Sequence, residues 1–247
     1  MPKRRLGDRL PIVTCVCSLF FSAPFAEAQQ NTVTARVKVE NGRAATPAKS
    51  AAADASEVVL WLVPLDASPP DFAPGKRLQV VQKNKSFRPH LVVVRVGSTV
   101  DFPNRDPFFH NVFSLFDGKR FDLGLYEAGA TNSVRFDRGG VSYLFCNIHP
   151  EMSAVVVTVN TPYYGVSDKS GAVSISNVPD GRYELHLWYE RSVPQDLKSL
   201  VRTVHISSTS RDLRTLGVPL NPNFTTSHKN KYGQDYAPPP PQEYGHP

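Results

Sequence analysis

Sulfur is scarce in this chain. Its 247 residues hold three cysteines and two methionines. Beyond the first 28 residues only Cys146 and Met152 are left, so the remainder carries one thiol with no disulfide partner. Long apolar runs are missing too. The longest candidate, Ile12 to Phe21, is too short to span a bilayer, which predicts no membrane span. No cluster of Lys and Arg with interleaved aromatics occurs, which argues against nucleic acid as a partner. The formal charge is +6. The first 28 residues carry four Lys/Arg and two Asp/Glu, so +4 remains on the rest. That mild excess suits an acidic partner surface.

What is present begins with a leader. Residues 1–28 read as a secretory signal peptide. Lys3, Arg4 and Arg5 precede the apolar run, and Ala26-Glu27-Ala28 is an A-x-A cleavage signal before Gln29. Thr14 stands before Cys15 where a lipid-anchor site needs a smaller residue, so that cysteine reads as part of the leader. The expected location is periplasmic or secreted. An unpaired thiol in that oxidising setting is a liability unless a metal occupies it.

Cys146-Asn147-Ile148-His149-Pro150-Glu151-Met152 gathers a thiolate, an imidazole and a thioether within seven residues. A trigonal His₂Cys set with a weak axial Met suits copper in electron transfer. The second imidazole must come from elsewhere, and His110 in Phe108-Phe109-His110-Asn111-Val112 is the candidate. Blander readings exist. A lone Cys is most often a small buried hydrophobe, and a lone Met core filler. A Cys–His pair can also be nucleophilic. The combined softness and spacing of three donors favour copper over these.

The C-x₂-H-x₂-M motif resembles the ligand loop of the cupredoxins, the blue-copper or plastocyanin-like family, with the short spacing of amicyanin. Leu91-Val92-Val93-Val94-Arg95-Val96-Gly97 resembles the family's entry strands. Val100-Asp101-Phe102-Pro103-Asn104, followed by His110-Asn111-Val112, resembles its "V-x-F-x-N … H-N-V" segment. The resemblance covers residues 77–160. It implies an all-β Greek-key sandwich and one type 1 copper held by His110, Cys146, His149 and Met152. It further implies that His149 is the solvent-edge ligand through which the electron leaves. Phe108, Phe109, Ile148 and Pro150 are candidates for an apolar collar around it, or equally for ordinary core residues. Asn111 is expected to brace the ligand segments by bonding to the residue after the cysteine. Here that residue is Asn147, where the family usually has Ser or Thr. Bonds of this kind orient ligands and tune the metal.

The flanking chain also reads as β. Val33, Ala35, Val37 and Val39 alternate with polar residues, and Val58 to Val63 is an apolar run of strand length. Tyr183, Leu185, Leu187 and Tyr189 alternate after turn signals at Asp168–Gly171 and Val178–Gly181. This region resembles a carboxypeptidase-regulatory-like (transthyretin-like) β-sandwich. Residues 31–66 and 161–218 are expected to form it, with the copper domain inserted or in tandem. Residues 219–247 are rich in Pro, Asn, Tyr and Gly and read as a disordered or extended tail. His90, His205, His228 and His246 have no partners at metal spacing and read as ordinary polar residues.

Three functions follow as expectations. One is a periplasmic electron carrier between protein redox partners, not an enzyme. Another is a copper-binding module for trafficking or sensing. The third is a non-catalytic β-sandwich that binds carbohydrate or protein. No His-x-His pair occurs, which disfavours a multicopper oxidase.

Overall fold

A computed structural model describes residues 31–41, 54–66, 75–115 and 118–236. The expected leader and the proline run 238–241 lie outside the described residues. The described chain opens with β1 (Val33–Asn41) and β2 (Val59–Pro64). Ten strands follow: β3 (Leu78–Gln79), β4 (Val81–Gln82), β5 (Phe87–Arg88), β6 (Leu91–Arg95), β7 (Ser98–Pro103), β8 (His110–Ser114), β9 (Phe121–Tyr126), β10 (Thr131–Phe136), β11 (Gly140–Phe145) and β12 (Ser153–Val159). Next come β13 (Tyr164–Val166), β14 (Ala172–Ile175) and β15 (Gly181–Trp188). A short helix, α1 (Pro194–Ser199), precedes β16 (Arg202–Ile206) and β17 (Asp212–Leu220).

The chain is all-β, built as two sandwiches. In the first, the sheet β6-β12-β11-β8-β9 faces the sheet β10-β7-β3. In the second, β14-β1-β17 faces β13-β2-β15-β16. Strands β1 and β2 therefore pair with strands that follow the whole first sandwich, and β3–β12 are inserted between them.

Burial explains the apolar runs. A strand whose two faces are both covered needs side chains that are apolar on both. On β6 and β12, Val92, Val94, Ala154 and Val156 enter the core of the first sandwich. Their neighbours Val93, Val155, Val157 and Val159 enter the core of the second. The two sandwiches thus share one wall. By contrast β10 alternates strictly, with Val134 and Phe136 buried between exposed residues, because its outer face meets water.

A polar contact joins the sandwiches at the edge of this wall. His90 Nε2 lies 2.7 Å from Glu190 Oε2, and Nδ1 lies 3.2 Å from the Ser153 carbonyl. The Glu190 carboxylate raises the His90 pKa above its ordinary 6.5, outweighing partial burial, with Glu57 adding to the effect. A raised folded-state pKa stabilises the fold fully below about 6.5 and loses that contribution as pH climbs through the raised value. The His90 side chain is 34% exposed, so water screens the pair and the contribution is expected to be about 1 kcal/mol or less. In urea titrations across pH 5.5–8.5, His90→Gln should flatten the decline in stability on the alkaline side. An unchanged slope would remove His90 from the account.

Residues 219–236 correct the expectation of a disordered tail. Leu220 ends β17, the Asn221 N–H donates to the Arg191 carbonyl, and Tyr236 reaches the Cys146 carbonyl at 2.7 Å. A Pro- and Asn-rich composition misses this because the anchors are single side chains, among them His228 stacked on Phe145.

Candidate metal centre

Strand alternation sets the direction of the thiol. On β11 Ser142 and Leu144 are buried and Tyr143 and Phe145 half-buried, so the next residue, Cys146, turns inward and is fully buried. The chain then turns away, and the Met152 N–H bonds back to the His149 carbonyl at 3.1 Å. This closes a loop that returns His149 to the cysteine before β12 begins. Met152 is fully buried in the same apolar cluster as Cys146. His110 opens β8, and Phe113 of that strand pairs with Phe145 of β11. Adjacency of the two strands brings His110 to the ligand loop from the other side.

Three donor atoms converge. Cys146 Sγ lies 3.9 Å from His110 Nδ1 and 3.6 Å from His149 Nδ1, and the two nitrogens are 3.1 Å apart. The point equidistant from all three is about 2.1 Å from each, as the circumradius of that triangle. Metal–imidazole bonds are about 2.0–2.1 Å and metal–thiolate bonds about 2.3 Å. The triangle therefore fits one trigonally held ion.

The protonation states fit as well. His110 Nε2 lies 2.8 Å from Asp106 Oδ2, and a carboxylate oxygen can only accept. The proton is on Nε2, which leaves the Nδ1 lone pair aimed at Cys146 and His149. Asp106 is itself buried. Burial raises its carboxyl, but the Lys85 N–H, the His110 ring and the Asn84 N–H together hold it below the ordinary range. The His149 pKa is pushed down by burial and by the His110 ring beside it, which favours its neutral form. Burial pushes the Cys146 thiol up, against the N–H groups of Ile148, Asn111 and His149. A bound cation reverses that balance, since coordination deprotonates a thiol. Two imidazoles and a thiol, packed with donor atoms converging, make a soft site suited to copper.

The brace between ligand segments is present in a particular form. The Asn147 N–H donates to Asn111 Oδ1 at 3.2 Å. Asn111 Nδ2 in turn donates to Asp122 Oδ1 at 2.7 Å and to the Gly124 carbonyl at 2.9 Å. Phe108 packs against both imidazoles, with ring centroids 5.2 Å from His110 and 5.7 Å from His149. Phe108, Phe109, Ile148 and Pro150 are all exposed, so they form a surface rather than core.

Asp106, Asp122, Lys231 and Tyr236 were not singled out by the sequence. Asp106 had a faint signal, standing four residues before His110 in Asp106-Pro107-Phe108-Phe109-His110. His228 read as an ordinary polar residue, yet it stacks on Phe145, next to the cysteine. His205 has no place in the site.

No family model and no curated protein matches this sequence. Among solved structures, a copper-containing nitrite reductase from Thermus scotoductus is 22% identical with a TM-score of 0.33, over 39% of this chain and 25% of that one. This chain thus spans a quarter of the reductase's length. A purple cupredoxin from Nitrosopumilus maritimus is 23% identical with a TM-score of 0.30, over 33% of this chain and 99% of that one. The Cu(I) form of an amicyanin variant is 19% identical with a TM-score of 0.32, over 40% of this chain and 98% of that one. Each covers at most two fifths of the present chain.

Proposed function

We propose that this chain is a periplasmic type 1 copper protein that carries single electrons between protein partners and transforms no substrate itself. The observation that carries the reading is the convergence of Cys146 Sγ, His110 Nδ1 and His149 Nδ1 about one point 2.1 Å from each. Met152, fully buried in the same apolar cluster as Cys146, would supply a fourth, weaker donor. Bound copper supplies the one-electron chemistry; the protein's part is to hold the donors still. His110 is held by the Asp106 carboxylate, Cys146 by the end of β11, and His149 by the Met152–His149 turn. A site clamped this way alters little between oxidation states, so reorganisation is small.

The collar supports the same reading. Phe108 packs on the His149 ring, Ile148 and Pro150 flank His149 in the loop, and these three and Phe109 are exposed. A partner can exclude water there and approach the imidazole edge without a large interface. Among the described residues, no helix is long and apolar enough to cross a membrane.

The test is the visible spectrum of the protein loaded with Cu(II). An intense thiolate-to-copper band is expected, with complete loss in Cys146→Ser. Met152→Ala should keep the band and shift the reduction potential, as expected for a weak axial donor. A wild-type protein that binds Cu(II) without the band would sink the electron-carrier reading.

A further inference from the structure

The segment that follows β17 makes two hydrogen bonds to the ligand loop and one ring stack at the end of β11. Tyr236 Oη donates to the Cys146 carbonyl at 2.7 Å. The Lys231 N–H donates to Asn147 Oδ1 at 3.0 Å. The His228 ring stacks on Phe145 with centroids 4.0 Å apart and planes 24° apart. These contacts fall on three consecutive residues, 145 to 147, with the cysteine in the middle.

The contacts close on themselves. Lys231 Nζ bonds to Asp122 Oδ2 at 2.7 Å, and Asp122 Oδ1 accepts from Asn111 Nδ2. Asn111 Oδ1 accepts from the Asn147 N–H, and Asn147 Oδ1 accepts from the Lys231 N–H. A circuit thus runs Asn111, Asn147, Lys231, Asp122 and back. It joins the residue after His110, the residue after Cys146, strand β9 and the C-terminal segment. A serine at 147 has a shorter side chain and no amide oxygen to reach Lys231, so the asparagine there has a structural reason. The segment itself is set by a tight turn. Asn230 Oδ1 accepts from the Tyr232 and Gln234 N–H groups, and Gly233 adopts a φ of 77° that favours glycine.

We propose that residues 228–236 are a strap that positions the Cys146 ligand segment and holds it against local opening. Lys231 and Tyr236 are its positioning residues; neither touches the donor atoms. The strap also leaves the collar on the His149 side as the open approach to the site. Its effect on a copper potential rests on the reading proposed above, whereas its effect on the thiol does not.

The experiment therefore has a metal-free arm. In chains carrying Cys15→Ser and Cys17→Ser, Cys146 is the sole thiol and its labelling by a disulfide reagent reports access. Tyr236→Phe, which keeps the ring and removes the hydroxyl, should label several-fold faster. A chain ending at Ser227 should label at least about tenfold faster, since local opening governs access to a buried thiol. In the copper-loaded arm the same two variants, and Asn147→Ser, should keep the thiolate band but move its wavelength and the midpoint potential. Asn147→Ser combined with truncation should shift the potential no further than truncation alone, because both break the same bond. Labelling rates within twofold of the parent would overturn the strap, whatever the colour of the protein. A potential unchanged across all three variants, in protein that shows the band, would also overturn it. A wild type lacking the band would defeat the electron-carrier reading and leave labelling to decide the strap.

Discussion

Replacing Asp106 by alanine is expected to damage the site more than any other change outside the donors. The buried carboxylate accepts from the Asn84 N–H at 2.6 Å, the Lys85 N–H at 2.9 Å and the fully buried His110 Nε2 at 2.8 Å. Alanine leaves the His110 N–H buried without an acceptor, whereas water can reach the exposed residues Asn84 and Lys85. One unsatisfied buried group costs about 1–3 kcal/mol. For a domain of this size that lowers Tm by on the order of 5 °C. His110 then loses the acceptor that keeps its proton on Nε2, and the tautomer with Nδ1–H blocks metal binding. Copper affinity should fall about 10- to 100-fold, as for other carboxylates that orient ligating imidazoles. Asp106→Asn keeps one acceptor oxygen and should fall between. Calorimetry and competitive copper titration separate the two effects. If stability drops while copper affinity stays within twofold, Asp106 braces the loop and does not set the tautomer.

Much of this was legible in the sequence, for physical reasons that differ by residue. Cys146, His149 and Met152 lie within seven positions, and a turn that returns to the same strand pair needs no long-range information. Ser142 and Leu144 alternate with Tyr143 and Phe145, and alternation alone aims the thiol inward. His110 could be named as the candidate second imidazole, but nothing local says that β8 lies beside β11, so only the fold brings it to the loop. Asp106, Asp122 and Lys231 were hidden for another reason. Their partners are hydrogen-bond donors and acceptors that any loop carries, and only the folded chain decides which meet. The tail failed on composition. Pro and Asn counts describe the average behaviour of a segment, whereas residues 228–236 are held by three specific contacts on a preformed surface.

The runs Leu91–Val94 and Ala154–Val157 are a subtler case. The first reads as a strand through the family resemblance, but what covers each face could not be read from either. The shared wall yields the second large expectation. Val157 sits on β12, 2% exposed, facing the core of the second sandwich. Val157→Asp places a carboxylate between the two sandwiches with no polar partner built for it. Burying an unpaired charge costs at least about 4 kcal/mol, a large part of the roughly 5–15 kcal/mol that holds a typical protein folded. Val157→Ala, which removes volume without adding charge, should cost about 2 kcal/mol.

The sequence supplies two separate reporters for the outcome. Both tryptophans, Trp61 and Trp188, lie in the second sandwich, on β2 and β15. Cys146 lies in the first. If the wall is truly common, tryptophan fluorescence and Cys146 labelling should report one transition in urea. Val157→Asp should move both midpoints together, although the substitution faces only one core. Separate midpoints, with fluorescence lost early and Cys146 still protected, would mean that the first sandwich stands without the second. The inserted strands would then be an independent unit, and β6 and β12 would owe their second apolar face to docking rather than to folding. A single shifted transition would instead mean that β1, β2 and β13–β17 are part of what keeps the donor triangle closed, since β12 holds one end of the ligand loop.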